Sequence, residues 1–266
     1  MIYLSKFNFF SRILLVLTPF YSFVQITLDS TDFASSGDTV RISEASPVLT
    51  GYDATGANYS WDFSSLIPET QELKSYLSMS TVPILVNFSF GAFASSEYQA
   101  SYHTESTDIP VDALNNFLPV NVEALYAYSK ISDSSINSLG YSLMVDGQGV
   151  PFSSDTIETK YSLPLQFNQI DSSVGYTNVD LNPFADLKFI QHRNRTTEVD
   201  GWGTITTPYG TFSALRIKHE IIEIDSLYQT FSGTGSWTAL PELYIVEYEW
   251  WSKGEKYPIL KVVVNE

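Results

Sequence analysis

Apolar and polar positions alternate most clearly in the last quarter of the chain. Val246, Tyr248 and Trp250 alternate with Glu247 and Glu249, and Leu260, Val262 and Val264 alternate with Lys261 and Val263. A period of two sends successive side chains to opposite faces of a strand, so both segments read as strands. Between them lies Gly254, which supplies the positive φ that a short hairpin loop needs. Centring the reversal there sets Trp250 opposite Leu260, Tyr248 opposite Val262 and Val246 opposite Val264, as a core face. Glu247, Glu249 and Trp251 then share the other face with Ile259, Lys261 and Val263, which reads as solvated and charge-paired. On this register Trp250→Ala costs about 3–5 kcal/mol, and Glu249→Ala costs under about 1 kcal/mol.

Upstream, Thr207-Pro208-Tyr209-Gly210 has the proline and glycine placement of a type I turn, and pairs the strand around Ile205 with one beginning at Thr211. Further strands are expected at 26–33, near 38–42, 56–66, 72–79, 83–90, 124–130, 139–145, 156–166 and 187–191. The apolar run at 83–90 is too continuous for periodicity to separate strand from helix. The pattern is weakest over 91–120, where 111–117 reads as a single helical turn. Turn signals about every ten residues predict an all-β fold: an antiparallel meander forming a strongly curved sheet or half-barrel, with little helix. Residues 26–266 read as a single β-rich domain. The competing layout has a subdomain boundary near 91–120, with a small β-sandwich before it.

The first 25 residues differ from the rest. Lys6 and Arg12 precede the apolar run at 13–17, and no acidic residue occurs before Asp29. That is the build of a secretory signal peptide, so the mature chain is expected to begin near residue 26, without a membrane span. The whole chain of 266 residues has 14 basic and 30 acidic residues. Losing the signal leaves 12 basic against 30 acidic residues, a formal charge of −18. Such a balance excludes nucleic acid and anionic membrane surfaces as partners, because both are bound through Lys and Arg. There is no cysteine, hence no disulfide and no thiolate chemistry. The expected location is exported: secreted, cell-surface or periplasmic.

Candidate chemistry is sparse. Glu247 and Glu249 stand two apart on one strand face, a spacing that could flank a glycoside bond. Trp251, with Trp202 or Tyr209, could form an aromatic platform for a sugar or another ligand. His103, His192 and His219 are dispersed, and no pair of them has zinc spacing. Asp29, Asp32 and Asp38 match no calcium loop and read as turn formers. No nucleophile elbow or phosphate loop occurs. No metal and no cofactor is therefore expected. Two functional readings follow. One is a non-catalytic binding or structural module for an apolar small molecule, a glycan or a partner protein. The other is a carbohydrate-active enzyme using Glu247 and Glu249.

Six segments together carry a resemblance: Phe33-x-x-x-Gly-Asp-Thr39, Gly56-x-Asn-x-x-Trp-Asp-Phe-Ser64, Leu139-Gly-Tyr141, Leu163-Pro-Leu-Gln-Phe167, Pro208-x-Gly-x-Phe-x-Ala-Leu-Arg216 and Glu249-Trp-Trp-Ser-Lys-Gly-Glu-Lys-Tyr-Pro258. They resemble a group of exported proteins of Bacteroidota, many of which carry a C-terminal sorting domain for type IX secretion. The Pro-x-Gly-x-Phe hairpin and terminal strands are similar to the curved sheets of periplasmic lipoprotein-carrier-like folds. With Glu266 directly after the last strand and no sorting domain, a periplasmic location is expected alongside surface release.

Overall fold

The structure, a computed structural model, describes residues 25–46, 49–109, 121–182, 186–231 and 233–265. It is 64% strand and 7% helix. Nine strands run in one antiparallel path, ordered β13-β12-β10-β9-β8-β7-β6-β5-β4. In chain order these are β4 (Tyr102–Glu105), β5 (Val122–Ile131), β6 (Ser135–Val145), β7 (Gln148–Ser162), β8 (Ile170–Asp180), β9 (Leu187–Thr207), β10 (Gly210–Phe231), β12 (Leu243–Trp251) and β13 (Leu260–Asn265). Two strands branch off this path. β2 (Ala57–Asp62) pairs in parallel with the end of β9, and β11 (Thr234–Ala239) pairs with the end of β10. β1 (Thr39–Ser46) and β3 (Ile67–Ser75) form a separate two-stranded ribbon. One helix of more than one turn, α1 (Ile84–Phe90), is found among the described residues.

The sheet curls strongly into a half-barrel, and its cores record the curl. Leu125 of β5 shares a cluster with Phe189 of β9, and Ile136 of β6 shares another with Leu215 of β10 and Trp251 of β12. Strands four and five places apart in a sheet meet only if the sheet bends round on itself. The first cluster, with Tyr141, Leu143, Val179 and Leu181, fills one end of the concavity. The second, with Leu28, Phe33, Leu165, Val199 and Ile217, fills the other.

Parts of the convex face are covered as well. β2 lays Trp61 beside Ile205, where Trp61, Phe63 and Trp250 pack edge to face. This approach depends on Gly203, at φ +155°, since a Cβ there would stand 1.9 Å from the Tyr59 carbonyl oxygen. On the same face the fully buried Arg216 donates to the Tyr52 carbonyl, pairs with Asp200 and lies over the Tyr248 ring. α1 packs Val86 and Phe90 on Tyr128 and Leu139, with the Phe90 and Tyr128 rings stacked at 4.2 Å.

Both predicted hairpins form. Phe212 pairs with Ile205 across the turn at 207–210, and the terminal hairpin sets Trp250 against Leu260, Tyr248 against Val262 and Val246 against Val264. Four expectations change: the strand expected at 72–79 runs over Ile67–Ser75 instead, with Met79 in a 3-10 turn. The segment 26–33 is a 3-10 turn over Ser30–Asp32 capped by Asp29, and only Leu28 and Phe33 make isolated bridges. The run at 83–90 is α1, because its apolar residues find helical partners on the convex face. The strand expected at 187–191 is the start of a 21-residue strand. The helical turn expected at 111–117 lies outside the described residues. Strand β4, before that gap, pairs with β5 after it. No helix among the described residues is long and apolar enough to cross a membrane.

Candidate ligand cavity

The curl leaves a gap, because β4 and β13 are the two edges of the sheet and do not pair with each other. Both border a cavity of about 680 Å³. The ribbon supplies a third wall through 72–75 of β3, continued by Tyr76 and Leu77. Leu77, just after the ribbon, bridges to His103 of β4, and Phe33, just before it, bridges to Lys256 in the loop of the terminal hairpin. Tyrosines dominate the lining: Tyr76, Tyr102, Tyr126, Tyr161 and Tyr257 all face it. The Tyr76 and Tyr102 rings meet edge to face at 5.0 Å.

The floor is polar. Glu249 is 4% exposed. Its Oε2 accepts hydrogen bonds from the Tyr161 hydroxyl at 2.6 Å and the Trp251 indole at 2.8 Å, and its Oε1 lies 3.3 Å from Lys261 Nζ. Burial alone would raise this carboxyl, but the Lys261 ammonium, His219 and Tyr161 outweigh it and hold the group well below its ordinary value. Glu249 is therefore an anion at neutral pH. Burial, then the same carboxylate, pushes the Tyr161 phenol well up. Burial pulls His219 down, with its Nδ1 2.9 Å from Thr197 Oγ1 and its Nε2 3.6 Å from Glu249. Lys261 is raised: Glu249 and Glu247, the latter at 2.8 Å, overcome its burial.

A charged belt crosses the concave face beside this floor, between the two apolar clusters. Arg195 Nε lies 2.6 Å from Glu158 and its Nη1 3.7 Å from Glu247. Arg193 Nε lies 2.7 Å from Glu223, with its Nη1 3.8 Å from Glu158. At the belt's end Asp225 is raised to about 7 by burial and by Glu223. The register of β6 and β7 shifts between Ile136, paired with Tyr161, and Asn137, paired with Thr159. Lys160 is the extra residue of that bulge, so Lys160 and Tyr161 both turn into the cavity although they are neighbours in sequence.

The residues singled out from sequence do not converge. The charge pairing expected of Glu247 and Glu249 with Lys261 is present, but the solvated surface expected for them is corrected: curling covers both faces of β12, and Glu249 is buried. Trp251 lines the cavity, 5% exposed, with its ring 4.5 Å from Phe33. Trp202 flanks Leu215 in the same apolar cluster and does not line the cavity. Tyr209 is 63% exposed at the tip of its hairpin, hydrogen-bonded to Ser43. A glycosidase acid needs a raised pKa, and Glu249 has the opposite. Glu247 is engaged by Lys261 and Arg195. His103 is buried against Tyr126 and Tyr128. Asp29 caps its turn, Asp32 accepts from the Gly254 amide, and Asp38 accepts from Ser35. No cluster of His, Asp and Glu among the described residues could hold a metal ion.

Sequence reasoning missed Lys74, Lys160 and the tyrosines of the cavity. No motif marks them, since a β-bulge and the meeting of distant edges bring them together. No protein-family model, no curated protein and no solved structure matches the chain, and the chemistry of the cavity is read from its own side chains.

Proposed function

We propose that the protein is an exported, non-catalytic binding protein that holds a small organic ligand in the cavity between the two sheet edges. The cavity itself carries the reading. Its volume of about 680 Å³ falls within the roughly 300–1,000 Å³ of small-molecule sites, and a largely aromatic lining with a few placed polar groups is what such sites use. The floor supports binding over turnover, because the Glu249 carboxylate is already saturated by Tyr161, Trp251 and Lys261. Export is supported by the signal-like first 25 residues.

Native mass spectrometry of the mature protein, purified from exporting cells, tests this. The expected result is added mass that is released by organic solvent, on a chain whose N-terminus lies near residue 26. Thr104→Trp, on the cavity wall of β4, and Ala34→Phe, on the wall beside it, are expected to abolish the added mass without lowering Tm by more than a few degrees. A bound mass that survives in both folded variants would place the ligand elsewhere.

A further inference from the structure

In a chain with 30 acidic and 14 basic residues, a basic side chain should find a partner easily. Among the described residues Lys74 of β3 and Lys160 of β7 have neither a hydrogen bond nor an ion pair, and both line the cavity. Every other described Lys and Arg has one or the other. Each of the two lysines is partly buried. They come from different sheets, Lys74 from the ribbon and Lys160 from the bulge of the half-barrel. The strongest charged influence on Lys74 is Lys160, ahead of Asp108 and Glu72. Burial first, then that ammonium, pulls Lys74 below its ordinary value.

None of the described carboxylates lining this cavity is in contact with either lysine. Glu249 is taken by Lys261, Tyr161 and Trp251. Asp108 accepts from the Tyr141 hydroxyl at 3.1 Å; burial raises its carboxyl, and Lys160 first, then Arg193, hold it below its ordinary value, so Lys160 feels this carboxylate without forming an ion pair with it. Glu72 and Glu105 are exposed, and neither comes within ion-pair distance of Lys74 or Lys160. Two like charges therefore line one open space, and among the described residues no carboxylate comes within ion-pair distance of either.

We propose that the ligand is an organic anion: one acid group shared by Lys74 and Lys160, with an aromatic or aliphatic body lying on Tyr76, Tyr102 and Tyr161. This rests on the cavity reading above and names its ligand class. An acid group between the ammoniums would replace their repulsion with two charge-assisted hydrogen bonds, which are stronger in a partly desolvated site than in water. Lysine is a flexible point charge, so the pair selects for charge without demanding one planar geometry.

The test uses two fluorescent probes of similar shape, the anionic 1-anilinonaphthalene-8-sulfonate and the neutral N-phenyl-1-naphthylamine, on the intact mature protein. The anionic probe is expected to bind more tightly, and octanoate or octyl phosphate should displace it where octanol does not. Lys74→Gln and Lys160→Gln should each weaken the anion about tenfold, as for losing one charged hydrogen bond, and leave the neutral probe and Tm unchanged. Anion affinity should also fall as pH rises through the lowered Lys74 value. Neutral-probe binding with no preference for the anion, equal losses for both probes in the variants, or displacement by octanol would overturn the anion proposal alone. If neither probe binds, or Thr104→Trp leaves both bound, the cavity reading falls with it.

Discussion

The belt formed by Glu158, Arg193, Arg195 and Glu223 and the pair formed by Lys74 and Lys160 occupy one concavity under opposite rules. In the belt every charge has a partner of the other sign, and Arg193, the most exposed of its four side chains, is only 12% exposed. A buried ion costs several kcal/mol unless it is paired and hydrogen-bonded, so a half-barrel with this polar middle depends on complete pairing. Lys74 and Lys160 are charges without an ion-pair partner among the described residues, and they line a cavity with open space. Polar groups in a concave sheet thus divide into those that hold the walls together and those that wait on what enters. Pairing, more than polarity, tells them apart.

The sharpest way to break the comparison is to unpair the belt. Arg195→Met removes the 2.6 Å partner of Glu158 and leaves it only the 3.8 Å contact with Arg193, and is expected to cost about 3 kcal/mol in a urea titration. A loss under about 1 kcal/mol would reduce the belt to the standing of surface ion pairs. Next come the two faces of β12. Trp250→Ala should cost about 3–5 kcal/mol by emptying the convex core, and Glu249→Ala about 3 kcal/mol by leaving the buried Tyr161 hydroxyl and Trp251 indole without their acceptor. Similar losses from the pair are now expected, whereas a solvated Glu249 would give a wide gap.

Acid should separate the regions by sign. The folded Glu249 and Glu158 carboxyls lie below their ordinary value of 4.5. Their contribution is complete above that value and is lost as pH falls through the lowered folded values. Stability curves from pH 7 to pH 2 should therefore be flatter in acid for Glu249→Gln than for the parent. Asp225 runs the other way. Raised to about 7, it stabilises the fold only while protonated and loses that as pH climbs from its ordinary value through 7, so Asp225→Asn should raise Tm more at pH 8 than at pH 5. The smallest effect is expected at the unpaired lysines: Lys74→Gln should change stability by less than about 0.5 kcal/mol, and a larger loss would reveal a partner in the wall.

How much of this was legible in the sequence depends on distance along the chain. The hairpins at 207–210 and 252–256 were readable to the residue, because a turn and the alternation beside it fix register locally. The burial of Glu249 was not. Alternation sorts side chains onto two faces but does not say which face becomes covered, and a curled sheet covers both. The helix at 84–90 left one signal, Pro83 directly before it. The placement of Lys160 left none, since its bulge is defined only against β6, more than twenty residues upstream. The cavity lies beyond any local reading, because it exists only where two edges of one sheet fail to meet.

That failure to meet has a consequence for how the protein is made. The cavity wall takes Phe33 and Ala34 from near the start of the chain and Tyr257 to Lys261 from near its end, and Phe33 bridges directly to Lys256. Synthesis delivers the first of these more than two hundred residues before the last. A nascent chain can zip β9 to β10 as soon as both have emerged, yet it has nothing to close around a ligand until the final hairpin is released. On the proposed binding role, loading would act as a completion check, because a chain lacking the final hairpin would lack one wall of the cavity.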